Sequence, residues 1–241
     1  MTSILVTGGT GTLGRPTVAG LRAAGHQVGV LSRKPGPDRV VADLTSGAGL
    51  DAAVEGSDVV VHLATSQGRR DVQQTRNLLE AAAGVQHLIL MSIVGIDRIP
   101  LAYYRYKLET ERLVAESGVP YTILRATQFH NLVDQIFAVQ RFLPAVFAPA
   151  VTLQPIAVED IAVRLVELVD GPPVMGRAPD IGGPELHPVP DLARAWKQAR
   201  STRRPVLPLR LPGGTFRAYA DGAATVDGPE YGRITFAEYL R

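Results

Sequence analysis

The sequence predicts an α/β fold built on a doubly wound parallel sheet. Three observations carry this. Apolar runs of strand length alternate with segments of helical pattern. The runs are near-continuous, as strands covered on both faces are. The first run leads through a glycine-rich loop into a helix. Strands separated by helices imply right-handed crossovers and one parallel sheet.

Ile4-Leu5-Val6 is the first strand. Gly8, Gly11 and Gly14 follow three apart, with Thr7, Thr12 and Leu13 among them, and Arg15 to Ala24 reads as a helix closed by Gly25. Strand, phosphate loop and helix in this order open a dinucleotide-binding βαβ unit. The first glycine permits the tight turn, the second removes a Cβ that would block a pyrophosphate, and the third lets helix and strand pack closely. The helix N-terminus then offers unpaired N–H groups and partial positive charge to phosphates. Arg15 is placed either to reach a phosphate or to lie on the surface.

The second strand, His26 to Leu31, ends in Ser32-Arg33-Lys34-Pro35. A unit selective for NAD would place a carboxylate there for the ribose hydroxyls. Cations and a hydroxyl stand instead, and they suit a 2′-phosphate, so NADP(H) is the expected cofactor. The alternative is that Arg33 and Lys34 are solvated loop charges. Val40-Val41-Ala42, a third strand, runs into Asp43-Leu44, which could flank an adenine.

Asp58 to Ala64 is a buried parallel strand, and the backbone of Leu63-Ala64-Thr65 at its end is expected to line the cofactor; His62 reads as a core residue. Asp71 to Ala83 is a helix, His87 to Ser92 a strand, Tyr103 to Ser117 a helix closed by Gly118, and Tyr121 to Arg125 a strand. A helix over Asn131–Phe142, a strand at Val151-Thr152-Leu153, and helices over Ile161–Val169, Asp191–Arg200 and the C-terminal end complete the reading. The expectation is a single domain over 1–241, with a dinucleotide-binding core at 1–130 and substrate-side segments at 131–241 capping the crevice beyond the strand ends.

The chain has 241 residues, a formal charge of +2 and no cysteine. That excludes disulfides and thiolate catalysis, and a charge so small argues against nucleic acid despite a pI near 9.0. The five histidines lie far apart, so no metal is expected. No apolar run nears the ~18 residues of a membrane span and no leader precedes the first strand, so a cytoplasmic protein is expected. Asp71–Ala83 and Tyr103–Ser117 could form the four-helix face of a homodimer, or equally be solvated.

The chemistry rests on Ser92, Tyr103 and Lys107. Tyr103 and Lys107 are four apart and share a helical face. A lysine there should lower the tyrosine pKa and fit it to exchange a proton with a carbonyl oxygen as hydride is transferred. Ser92, at the end of a strand, could bind the same oxygen. Lys107 is one of only three lysines among 25 cationic side chains. Lys107 could instead serve only the ribose, Tyr104 could replace Tyr103, and tyrosines at this spacing also occur as core packing. After the sixth strand, Thr127 and Phe129 are expected beside the nicotinamide, with Gln128 and His130 toward substrate.

Thr7 to Gly14, Leu31-Ser32-Arg33, Met91 to Gly95, Tyr103 to Lys107 followed by Glu111, Gly118 to Arg125, and Gln154 to Asp160 together resemble the atypical short-chain dehydrogenase/reductases, NmrA-like NAD(P)-binding proteins in particular. The resemblance covers about the first 185 residues. It implies a Rossmann fold, NADP(H), and in many members reduction of a small carbonyl, quinone or activated double bond. It also implies a second possibility, since some members bind cofactor as redox sensors without turnover. A sugar-nucleotide epimerase ranks last, because its substrate domain would need more than the ~100 remaining residues.

Overall fold

The computed structural model describes residues 1–228 and 230–241. In chain order the elements are β1 (Ser3–Thr7), α1 (Gly14–Ala23), β2 (Gln27–Ser32), β3 (Arg39–Val41), α2 (Leu50–Val54), β4 (Val59–His62), α3 (Arg70–Ala81), β5 (His87–Ile93), α4 (Ala102–Glu116) and β6 (Tyr121–Ala126). There follow α5 (His130–Ala138), β7 (Val146–Pro149), β8 (Thr152–Leu153), α6 (Val158–Asp170), β9 (Gly176–Arg177), β10 (His187–Pro188), α7 (Val189–Ala199), β11 (Val206–Leu209), α8 (Gly214–Ala220) and α9 (Phe236–Tyr239). The central sheet has seven strands in the order β3-β2-β1-β4-β5-β6-β9. β1 runs parallel to both β2 and β4, so strand order reverses beside it. This is the expected doubly wound α/β fold, and its switch point lies at the carboxyl end of β1, where the glycine loop begins.

The chain divides into two compact units. The first comprises Met1–Ser92, Ala102–Arg125 and Ile161–Pro179. The burial pattern of its strands follows from their sequences: β4 is buried at all four positions and β5 at all but its last. Leu5, Val60, Leu78, Leu88, Leu90, Val114 and Ile123 share one core cluster. Each such side chain contributes on the order of 1.5–3 kcal/mol when withdrawn from water. α3 turns Asp71, Thr75 and Leu78 inward. α4 buries Tyr104, Lys107, Thr110, Glu111 and Val114. Its inner face thus carries a lysine and a glutamate where packing alone would place apolar residues. Burying such charges is costly unless they are paired, which marks the face for electrostatic reasons. Glu111 is paired: Arg125 on β6 donates to both its oxygens, at 2.8 and 2.6 Å.

The second unit comprises Ile93–Leu101, Ala126–Asp160 and Asp180–Arg241. β7 and β11 form a parallel pair, and β8 and β10 an antiparallel one. α7 begins with proline in its first turn, where the missing N–H costs nothing. Its Trp196 donates to Asp134 at 2.6 Å and lies 5.9 Å from the Phe137 ring. Gln154 joins three segments: its carbonyl accepts from Thr127, its amide donates to Gly183, and its side-chain oxygen accepts from the Val226 amide. The helix expected over Asn131–Phe142 ends at Ala138, because the Gln140 side chain takes the Ile136 carbonyl and pairs with both backbone groups of Phe147. The strand expected at Val151–Leu153 is the two-residue β8.

Candidate functional site

The glycine loop is held by close backbone contacts. Gly8 has φ +70°, and a Cβ there would lie 2.7 Å from the Ala64 nitrogen, so the loop presses against the end of β4. Gly14 packs on the loop itself; a Cβ would lie 2.5 Å from the Gly9 Cα and overlap the Gly8 carbonyl oxygen. Gly11, Thr12 and the side chain of Arg15 face outward. Arg15 Nε donates to the Thr10 carbonyl at 3.0 Å and braces the loop. Leu13 is the N-cap of α1, and no side chain caps that helix. Arg15 already donates its amide to the Gly11 carbonyl and Pro16 has none, so the amides left to an anion, without a partner among the described residues, are those of Thr12, Leu13 and Gly14.

Ser32 closes β2, and its hydroxyl accepts from the Lys34 amide at 3.1 Å. Arg33, which forms no ion pair among the described residues, lines a cleft of about 330 Å³ with Val41, Ala42, Asp43, Ala48 and Gly49. The Asp43 carboxylate caps the next turn by accepting from the Thr45 amide. Leu44 places its side chain in the core cluster and its carbonyl on Asn77, so neither faces outward.

At the end of β4, the Leu63 amide donates to the Thr7 carbonyl and the Ala64 amide to the Thr7 hydroxyl. That hydroxyl lies 2.7 Å from His62 Nδ1. On the other side of the ring, Thr75 Oγ1 gives its own proton to the Asp71 carbonyl and so accepts from His62 Nε2, at 3.3 Å. These bonds fix the neutral tautomer with the proton on Nε2. Burial, with the Lys107 charge adding to it, lowers the His62 pKa to about 3. His62 is a buried structural group, as expected.

The three residues expected to carry the chemistry lie in the first unit. Lys107 is buried and donates to the Met91 carbonyl at 2.8 Å. Burial lowers its pKa, against the pull of Asp71 and Glu111. Ser92, the next residue on β5, is buried, and its hydroxyl has no partner among the described residues. The Tyr103 hydroxyl lies 3.1 Å from Thr65 Oγ1, while Tyr104 is a buried core residue.

One expectation is overturned. Lys107 does not lower the Tyr103 pKa. Burial raises it and the Asp71 carboxylate pushes the same way; only a Thr65 hydroxyl turned toward the phenolate would oppose them. Asp71, from the first turn of α3, was not singled out by sequence. The only sequence signal for it was an acid at a helix start, which ordinarily reads as a response to the helix dipole.

The remaining expected residues belong to the second unit. Thr127 gives its hydroxyl proton to the Gln154 carbonyl, and Phe129 is the N-cap of α5. His130 Nε2 donates to the Ile234 carbonyl at 2.9 Å; Nδ1 is buried without a partner. Burial lowers the His130 pKa. Both polar atoms of the Gln128 amide are likewise buried and unpartnered. Phe129 forms an isolated parallel bridge with Ile156 immediately before α5 begins at His130.

Comparison with known proteins accounts for the loop geometry. A family model described as NAD(P)H-binding matches residues 8–172. The chain belongs to this NAD(P)H-binding family. An uncharacterised protein of Mycobacterium tuberculosis is 30% identical over 162 residues, which are 61% of this chain and 18% of that protein. The (4-alkanoyl-5-oxo-2,5-dihydrofuran-3-yl)methyl phosphate reductase of Streptomyces griseus is 32% identical over 197 residues, 76% of this chain and 68% of the reductase. Among solved structures, the NADPH-dependent quinone oxidoreductase of Escherichia coli complexed with NADPH superposes with a TM-score of 0.80 at 21% identity over 98% of both chains. The chain thus spans less than a fifth of the mycobacterial relative and about two thirds of the reductase. NAD(P)H is the cofactor of the family, and the uncapped α1 terminus, the Cβ-free loop and the Arg33 cleft fit a dinucleotide with its phosphates.

Proposed function

We propose that the protein is an NADPH-dependent oxidoreductase, of the short-chain type, that reduces a small carbonyl, quinone or activated double bond. The observation that carries this reading is the Ser92 hydroxyl. A buried hydroxyl without a partner costs about 1–3 kcal/mol. At the carboxyl end of a central strand it is suited to a ligand oxygen. Lys107 is tethered to the neighbouring Met91 carbonyl.

In this reading the amides of Thr12, Leu13 and Gly14 bind the pyrophosphate, with Thr7 and Gly8 shaping the loop. Ser32 and Arg33 take a 2′-phosphate, the Arg33 cleft beside Asp43 and Leu44 receives the adenine end, and the Leu63–Thr65 backbone lines the path between. Bound NADPH supplies a hydride. Lys107 orients the ribose, Ser92 holds the substrate oxygen, and Tyr103 exchanges a proton with it. The raised pKa keeps Tyr103 protonated at neutral pH, as a proton donor must be. In the second unit, Gln128 and His130 Nδ1 are candidate contacts for a polar ligand.

A non-catalytic NADPH sensor is the second reading. It is favoured by one feature, the commitment of the Tyr103 hydroxyl to Thr65. NADPH oxidation against a panel of quinones, aldehydes, ketones and conjugated enones separates the two. The reductase reading expects turnover with at least one class. Tight NADPH binding with no turnover across the panel would replace it with the sensor.

A further inference from the structure

The neighbours of Tyr103 form a directional chain. Asp71 is 3% exposed, and three donors converge on its carboxylate. The Ser66 amide and hydroxyl reach Oδ1, each at 2.6 Å. The Thr65 hydroxyl donates to Oδ2, also at 2.6 Å. A hydroxyl has one proton, so Thr65 can only accept from its other neighbours. It accepts from the Gln67 amide at 3.1 Å and therefore also from the Tyr103 hydroxyl at the same distance. The order is fixed: Tyr103 donates to Thr65, and Thr65 donates to Asp71. The Tyr103 lone pairs are left for a ligand.

We propose that Thr65 and Asp71 are the positioning residues of Tyr103, and that the three groups form a chain moving a proton between a bound substrate oxygen and the Asp71 carboxylate. This rests on the reading of Tyr103 as the acid–base group. In the oxidising direction the substrate O–H bond breaks and its proton goes to the Tyr103 oxygen. The Tyr103 proton passes to Thr65 and the Thr65 proton to Asp71 Oδ2. The substrate C–H bond breaks as the C=O bond forms, and the hydride that leaves would be taken up by bound oxidised cofactor. Reduction runs the same path backwards: a proton from water enters at Asp71 Oδ2 and passes through Thr65 to Tyr103, whose own proton goes to the carbonyl oxygen as hydride arrives at the carbon. Protonated Asp71 keeps both Ser66 contacts on Oδ1, so the chain reverses without rebuilding its far end. Lys107 on α4 is the charge that Asp71 acts on, Glu111 acts on the same lysine and is itself paired with Arg125, and His62 stays neutral.

The test is a pH titration of the protein labelled with ζ-¹³C tyrosine, without ligand, the Tyr103 signal being identified by its loss in Tyr103→Phe. The chain stabilises the protonated tyrosine through an acceptor and a nearby negative charge. Thr65→Ala and Asp71→Asn are therefore both expected to lower the pH at which Tyr103 ionises, and Thr65→Ser to leave it where it was. A Thr65 hydroxyl that simply turned toward the phenolate would give the opposite sign, so a rise in Thr65→Ala overturns the proposal. So does a Tyr103 signal unmoved in Thr65→Ala. Thr65 is exposed, so its variants keep the test decisive even if Asp71→Asn does not fold. The titration needs no turnover. An inactive protein with the expected shifts would sink the reductase reading alone, and an active enzyme with an unmoved tyrosine would sink the chain alone.

Discussion

Gly14 abuts Gly8 so closely that a Cβ on Gly14 would overlap the Gly8 carbonyl oxygen. The phosphate loop and α1 are thus one rigid piece, and the turn cannot widen without lifting the helix. Gly14→Ala is expected to cost about 1–3 kcal/mol by overpacking. It should also weaken NADPH binding by more than tenfold. Gly11 faces outward with its nearest obstacle, the Gly8 oxygen, 3.2 Å from a built Cβ. Gly11→Ala should cost less stability than Gly14→Ala and still lose the affinity. Urea melts and NADPH fluorescence titrations on both variants check the contrast.

Arg33 lines the cleft beside Asp43 and has no carboxylate partner among the described residues. A charge-assisted bond to a 2′-phosphate is worth about 1.5–3 kcal/mol. Arg33→Ala should raise the Kd for NADPH about tenfold to a hundredfold and leave that for NADH nearly unchanged. Equal losses for both nucleotides would show that Arg33 reads the shared part of the cofactor.

The Arg125–Glu111 pair is 4% and 7% exposed at its side chains. Removing one partner of such a pair costs about 3–5 kcal/mol, because the other charge stays buried. Glu111→Ala is expected to lose that much by urea unfolding, and Glu111→Leu combined with Arg125→Met to recover most of it. A loss under 1 kcal/mol in the single variant would mean that water reaches the site.

His62 sets an acid limit. Its pKa is about 3 in the folded protein and 6.5 as the model-peptide value. Between those pH values the unfolded chain binds a proton that the folded chain refuses. The stabilising contribution is complete above pH 6.5 and is lost as pH falls toward 3, by up to about 1.4 kcal/mol per pH unit. His87, lowered to about 4 by burial, acts in the same direction. Chemical denaturation from pH 7 to 4 should show this decline, and His62→Asn should flatten it. An unchanged slope in the variant would assign the acid sensitivity elsewhere.

The parallel core was legible because buried strands such as Val59–His62 and His87–Ile93 read as unbroken apolar runs, and because the glycine spacing reports a backbone requirement rather than a side-chain preference. The pairing of β7 with β11 was not, since Pro149 and Pro208 interrupt the runs and proline argues against a strand. β9 and β10 are two residues each, too short for any periodicity. The helical spacing of Tyr103 and Lys107 was legible, but the charge acting on Tyr103 was not. That charge comes from Asp71 through Thr65, 38 positions before the tyrosine, and only the packing of α3 beside α4 joins them. Spacing along one helix identified the lysine; it could not report that burial, with the Asp71 charge added to it, raises the pKa of the hydroxyl.

The most direct test of the account is steady-state reduction of the best substrate in the panel by wild type and Tyr103→Phe, with the NADPH Kd measured on both. General acid catalysis contributes about 10²–10⁴-fold. The account predicts a fall in kcat of at least a hundredfold in the variant with the Kd unchanged. A variant that turns over at the wild-type rate would contradict the assignment of Tyr103 and, with it, the proton path on which the mechanism rests.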